Sequence, residues 1–248
     1  MRILFNKINV KRSKRALAAL LCLGLISCAQ GNSTPLQKAC VTGSGQEALY
    51  NGHWLVHPVP LAVQTGDFSA GELNTIVASI ETWNSFFAAS KGFKLYLNNG
   101  ADLGMMGAGG TRATSATICS QREVGPSNFT SSLMIYKNTS NWTYGSSVMG
   151  LTSTCPVSSG GTFNSFSAAV MELNYVNFYR AGTPTPDLQS IVTHELGHLL
   201  GLNHSCVGSG CSGAPADYSA AIMFPTFSIG TQKRSLNTND EGRANCLY

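Results

Sequence analysis

The sequence predicts an α+β domain over residues 51–248, preceded by an export leader and a short tether. Two segments with helical spacing and good end caps, near 69–91 and 187–200, bracket a series of short β-prone runs. Beyond the leader the cysteine count is even, which fits a chain that folds in an oxidising compartment.

Residues 1–15 carry six basic side chains, Arg2, Lys7, Lys11, Arg12, Lys14 and Arg15, and the apolar run Ala16 to Ile26 follows. A membrane-spanning helix takes about 20 apolar residues, so this run is too short. A basic stretch before a short apolar one is the pattern of a secretory signal peptide. Leu25-Ile26-Ser27-Cys28 resembles the lipobox of bacterial lipoproteins. That resemblance implies a signal peptide over 1–27, lipidation of Cys28, a flexible tether over 28–50, and a domain held at a bacterial membrane on its periplasmic or cell-surface side. Ordinary cleavage after Ala29 would instead release a secreted protein. With the leader removed, ten Lys+Arg remain against twelve Asp+Glu, a net of −2. The basic character of the whole chain therefore belongs to the leader, and no nucleic-acid surface is expected.

The elements follow in order. "HWLVHPVPLAV" (53–63) is β-prone, but its two prolines restrict it to an edge or first strand. Ser69 and Glu72 form a capping box, and Leu73, Ile76, Val77, Ile80, Trp83 and Phe87 continue it as one apolar stripe up to Lys91-Gly92. "FKLYLNN" (93–99) reads as a strand, and the glycine-rich stretch 99–118 as a long loop. Further strands are expected at 132–137, 147–154 and 168–175. The turn-rich 180–187 precedes a helix from Asp187 to about Leu200, which Gly201 is placed to end. A short helix over 238–247 closes the chain. There is no internal repeat and no sign of a second domain.

Six cysteines lie beyond the leader: Cys40, Cys119, Cys155, Cys206, Cys211 and Cys246. Proximity favours Cys206–Cys211, and Cys119–Cys155 with Cys40–Cys246 would complete three disulfides. Sequence alone does not choose among the pairings.

The chemistry concentrates in "HELGHLLGLNH" (194–204), which holds three of the five histidines. On a helix, positions i and i+4 differ by about 40° and roughly 6 Å along the axis. His194 and His198 thus point the same way and can share one Zn²⁺. Glu195 is angled to reach water at such an ion rather than the ion itself. Gly201 lets the chain turn, so that His204 can return to the same point. Three protein ligands leave a coordination position open, as in a catalytic zinc site. Such an ion lowers the pKa of water from ~15.7 towards ~7, and Glu195 would serve as general base and then acid. His53 and His57 offer another pair, but beside Pro58 a packing or surface role fits better.

The extended motif H-E-x-x-H-x-x-G-x-x-H, followed by Ala221-Ile222-Met223-Phe224-Pro225, resembles the metzincin metallopeptidases and, in its Met-turn, their matrixin branch. The resemblance implies a twisted, mixed five-stranded sheet packed on helices, with one antiparallel edge strand and a zinc cleft between upper and lower subdomains. It implies a zinc endopeptidase acting on protein or peptide substrates as a monomer, with Met223 beneath the imidazoles. Phe224, Pro225, Thr226 and Phe227 would wall the substrate pocket, and residues near 147–154 would form the cleft edge. Departures accompany it. No histidine lies between His57 and His194, so the family's second, structural zinc is not expected. Residues 98–170 offer only Asp102 and Glu123, which makes calcium doubtful. The family's masking propeptide is not expected either. Asp240 or Glu241 corresponds to the acidic residue that can hold a mature N-terminal amine in matrixins, an amine that a lipidated N-terminus would lack. A non-catalytic surface-binding protein with the same fold and zinc, or a hydrolase of non-peptide amides, is the alternative to a peptidase.

Overall fold

The computed structural model describes residues 52–64, 66–96, 104–106, 119, 133–158, 163–206 and 208–248. The leader, the tether, Cys28 and Cys40 lie outside the described residues. The strands are β1 (Gly52–His53), β2 (Leu61–Gln64), β3 (Gly104–Met106), β4 (Leu133–Asn138), β5 (Gly150–Val157) and β6 (Asn164–Asn174). The helices are α1 (Ala70–Lys91), α2 (Leu188–Leu200), α3 (Ala216–Ala220) and α4 (Thr238–Leu247).

β6 organises the sheet. It pairs in parallel with β4, which continues in parallel through β2 to β3, and antiparallel with β5. The two-residue β1 lies parallel to the first residues of β6. Five principal strands, one of them antiparallel, make the mixed sheet that the sequence predicts. Leu133, Met134 and Ile135 of β4 and Val170 and Met171 of β6 are fully buried on successive positions, as expected of strands covered on both faces.

Three expectations need correcting. The run 53–63, expected as an edge or first strand, ends the first strand β1 at His53 and then enters β2, which is not an edge strand: it lies between β3 and β4, and Pro58 and Pro60 precede it, so neither costs a ladder hydrogen bond. The run 93–99 contributes only a parallel bridge between Val59 and Tyr96 within its described part. The Asn84 side chain occupies the Tyr96 backbone from both ends, accepting from its N–H and donating to its C=O, each at 2.9 Å. Those groups need no ladder partner. The glycine-rich stretch contains β3, because pairing with Ala62, Val63 and Gln64 outweighs its weak intrinsic preference for extended structure. The rest of that stretch lies outside the described residues.

α1 begins at the predicted capping box: Glu72 N–H donates to Ser69 Oγ, and Ser69 N–H donates to Glu72 Oε2 at 2.7 Å. Ile76, Ile80, Trp83 and Phe87 are fully buried, and the Trp83 indole donates to Thr193 O at 2.9 Å, fastening α1 to α2. His57 stacks on Phe93 with ring centroids 4.4 Å apart, and both His53 and His57 meet the edge of Tyr248. Both histidines are thus packed in an aromatic cluster.

Glu72 also ties α1 to the sheet. Lys137 Nζ lies 2.8 Å from Oε2, and the Tyr175 hydroxyl donates to Oε1 at 2.7 Å. Burial alone would raise this carboxyl, but hydrogen bonds from Lys137, Tyr175 and Ser69 override it and hold it at about 2, against an ordinary 4.5. A depressed carboxyl stabilises the fold fully above the unfolded value and loses that contribution as pH falls towards the folded one. Glu72→Gln should therefore cost about 1 kcal/mol at pH 7, since solvent screens this partly exposed group. In urea denaturation the deficit should shrink between pH 4.5 and 2.

Candidate metal centre

α2 is fastened at both ends. Asp187 caps its start, accepting from Ser190 N–H and Oγ–H and from the Arg234 guanidinium. At the other end Gly201 takes the left-handed conformation, φ 117°. Its N–H donates to His198 O and that of Leu202 to Gly197 O, the two bonds of a Schellman motif. The last two carbonyls of the helix are reached from elsewhere. The Trp54 indole donates to Leu199 O and the Tyr248 hydroxyl to Leu200 O, both at 2.8 Å. All four carbonyls that a helix end leaves over are satisfied. The Tyr96 hydroxyl adds a bond to Leu196 O at 2.7 Å.

On this fixed helix His194, Glu195 and His198 are buried. The turn after Gly201 returns His204 to them, and one ring nitrogen from each histidine falls within 4.8 Å of the others. His194 Nδ1 lies 2.8 Å from Ile222 O and His198 Nδ1 lies 2.7 Å from Leu202 O. A carbonyl only accepts, so each Nδ1 carries the proton and each Nε2 presents a lone pair. Yet the Nε2 atoms of His194 and His198 stand 3.1 Å apart, and those of His198 and His204 3.2 Å apart. Facing lone pairs repel unless a cation lies between them. Nitrogens bound tetrahedrally to one Zn²⁺ at ~2.0–2.1 Å would be about 3.3–3.4 Å apart. The donor set therefore fits zinc. Burial first, and the neighbouring His204 second, push His194 down to about 3. Burial and the adjacent His194 and His204 hold His198 well below its ordinary value, so both rings stay neutral.

Burial pushes Glu195 up to about 7, against a hydrogen bond from Thr152 that pulls it down. The Thr152 hydroxyl lies 2.7 Å from Glu195 Oε2 and 3.2 Å from Glu195 O.

Met223 is fully buried directly beneath α2, against Gly197, where a Cβ would collide with its sulfur. Its loop is held from two sides. Ser205 N–H donates to Met223 O at 2.7 Å. The buried Asp240 carboxylate accepts from Ile222 N–H at 2.9 Å, Met223 N–H at 3.1 Å and Asn237 N–H at 3.1 Å. Asp240 thus accepts from the backbone amides of 222, 223 and 237, with the Arg243 charge also acting on it.

A cleft of about 870 Å³ joins these groups. Val148 to Thr152 line one side, Pro225, Thr226, Phe227 and Ile229 another, with Glu195 and the three histidines between. Among the described residues Glu195 is its one carboxylate, and none of its lining residues is a lysine or arginine. Phe224 departs from the predicted pocket wall: its ring lies 4.8 Å from Lys233 Nζ and outside the cleft lining. Cys206 is bonded to Cys211, closing the loop after His204, and Cys119 is bonded to Cys155 of β5. Cys246 is disulfide-bonded too, with its partner outside the described residues.

A family model described as Matrixin matches residues 116–248, more than half of the chain. The chain belongs to the matrixin family. Among curated relatives, this matrixin is 38% identical over 66 residues to Metalloendoproteinase 2-MMP of Arabidopsis thaliana, covering 27% of this chain and 15% of the relative. It is 43% identical over 66 residues to Metalloendoproteinase 5-MMP of the same plant, with the same coverage. It is 39% identical over 62 residues to Metalloendoproteinase 1-MMP, covering 25% of this chain and 14% of that one. The matched stretches thus span about one seventh of each relative.

Two contacts of the matrixin site escape sequence reasoning. Thr152 carries no local signal for its bond to Glu195, because 43 residues separate them. Asp240 is legible as an acid in the first turn of α4, but its bonds to Ile222 and Met223 depend on tertiary packing. Asp240→Asn would set an amide N–H against a backbone N–H, and should lower stability by about 2 kcal/mol or more. Guanidinium denaturation of the metal-free protein measures this, and zinc affinity should fall with it.

Proposed function

We propose that this matrixin is a zinc-dependent endopeptidase that hydrolyses peptide bonds with water as nucleophile and Glu195 as proton carrier. The supporting observation is the convergence of the His194, His198 and His204 nitrogens, two of them oriented by backbone carbonyls, beside the Glu195 carboxylate in one cleft. These three imidazoles would hold a single ion. Bound there, zinc supplies a Lewis acid that polarises a carbonyl and acidifies water. Glu195 takes a proton at its carboxylate and returns it to the leaving amine, so no covalent enzyme intermediate is needed. Met223 supports the rings from below. Pro225, Thr226 and Phe227 shape the pocket, and its apolar side chains, among them Leu151, Phe178 and Ile229, favour apolar substrate side chains.

The domain would act outside the cytoplasm, in keeping with its disulfides. Among the described residues no helix is long and apolar enough to cross a membrane. We assign residues 1–27 to a signal peptide, Cys28 to a lipid anchor and 28–50 to a tether, with the catalytic domain at 51–248 acting as a monomer. Replacing Cys28 by Ala should then move the protein from the membrane to the soluble fraction.

The decisive experiment compares wild type with Glu195→Gln on a denatured protein, with metal content measured in both. Wild type should bind one zinc per chain and lose cleavage on chelation. Glu195→Gln should keep the zinc and lose at least about 10²-fold in kcat. Equal, background-level cleavage by the two would favour a non-catalytic binding protein.

A further inference from the structure

Glu195 is buried at the cleft, with only 5% of its surface exposed. Its two oxygens have different surroundings. Oε2 accepts from the Thr152 hydroxyl at 2.7 Å. Oε1 lies against Gly150, so close that a Cβ there would stand 2.8 Å from it. Gly150 and Thr152 are two apart on β5, so the period of a strand turns both towards α2. Among the described residues no second hydrogen bond reaches this carboxylate. The Thr152 hydroxyl has one proton and two acceptors in range, Oε2 at 2.7 Å and Glu195 O at 3.2 Å, and the shorter contact goes to the carboxylate. Pairing of Thr152 with Met171 and of Leu151 with Glu172 holds β5 in register, so the hydroxyl is carried on a fixed frame.

We propose that Thr152 is a positioning residue for Glu195: it anchors Oε2 and thereby leaves Oε1, over Gly150, as the oxygen that exchanges the proton. The inference rests on the peptidase reading given above. A glutamate side chain has three rotatable bonds, and an unanchored one would spread over several rotamers. A displacement of about 1 Å at a reacting group can lower rate by roughly 10²-fold. Anchoring through one oxygen removes that freedom while leaving the other free to take and return a proton. Because the hydroxyl proton is directed to the Glu195 carboxylate, its loss should act on turnover rather than on binding.

Three variants test this: Thr152→Val, which keeps the shape and removes the hydroxyl, Thr152→Ser, which keeps the hydroxyl, and Glu195→Gln as the inactive reference. With a peptide substrate and zinc content measured throughout, Thr152→Val should lower kcat by roughly ten- to a hundred-fold at unchanged KM and zinc occupancy. Thr152→Ser should restore most of the rate. Crystal structures of the zinc-loaded Val and Ser variants should show the Glu195 carboxylate displaced in the first and in place in the second. The proposal is overturned if Thr152→Val keeps wild-type kcat, if Ser is as impaired as Val, if the loss falls on KM alone, or if the carboxylate stays put without the hydroxyl. Failure of the peptidase reading appears separately, as wild type no faster than Glu195→Gln. The carboxylate positions in the two crystal structures then still decide whether Thr152 orients Glu195.

Discussion

Everything at the candidate centre depends on two backbone carbonyls, Ile222 O and Leu202 O, taking the Nδ1 protons of His194 and His198. An imidazole that can rotate or change tautomer is an uncertain ligand, whereas one fixed by a carbonyl presents a single lone pair in a single direction. The rest of the architecture keeps those carbonyls still. The Schellman turn at Gly201 places Leu202, and Asp240 places Ile222. Trp54, Trp83, Tyr96 and Tyr248 hold α2 by four of its own carbonyls. Each of these aromatic side chains is largely buried and would carry an unsatisfied donor without its partner, so packing and hydrogen bonding specify the same helix position.

β5 has two duties. Its residues line the cleft, and its Thr152 meets Glu195. Among the described strands it pairs with β6 alone, so no described strand takes up the backbone groups of its other edge. The disulfide from Cys155 to Cys119 ties the far part of β5 to a distant segment, limiting its ability to slide.

Local signals in the sequence carried the helices well. Ser69 and Glu72 announced α1, and Asp187 and Gly201 bounded α2, because caps are chemistry between neighbours. The histidine motif was legible for the same reason: two of its ligand positions lie one helical turn apart, and glycine marks the bend before the third. The sheet was less legible. β3 has three residues in a glycine-rich setting and exists by pairing with β2. Tyr96 leaves the strand pattern because Asn84, twelve residues earlier, claims its backbone. Phe224 was assigned to the pocket by its position beside Met223, but its ring lies against Lys233 and outside the cleft lining, a contact set by tertiary packing. Contacts between residues far apart in sequence, as with Thr152 and Asp240, leave no periodic or spaced trace to read.

The bond from Asp240 to the loop of Met223 also orders events in time. Ribosomes deliver His194 and His198 well before residue 240, yet the carbonyl that aims the first of these rings belongs to a loop tethered by that late carboxylate. A nascent chain therefore lacks the means to finish the centre until α4 has emerged and docked. Completion of the three-histidine cluster is therefore coupled to the docking of the last helix, whatever the order in which the earlier elements fold.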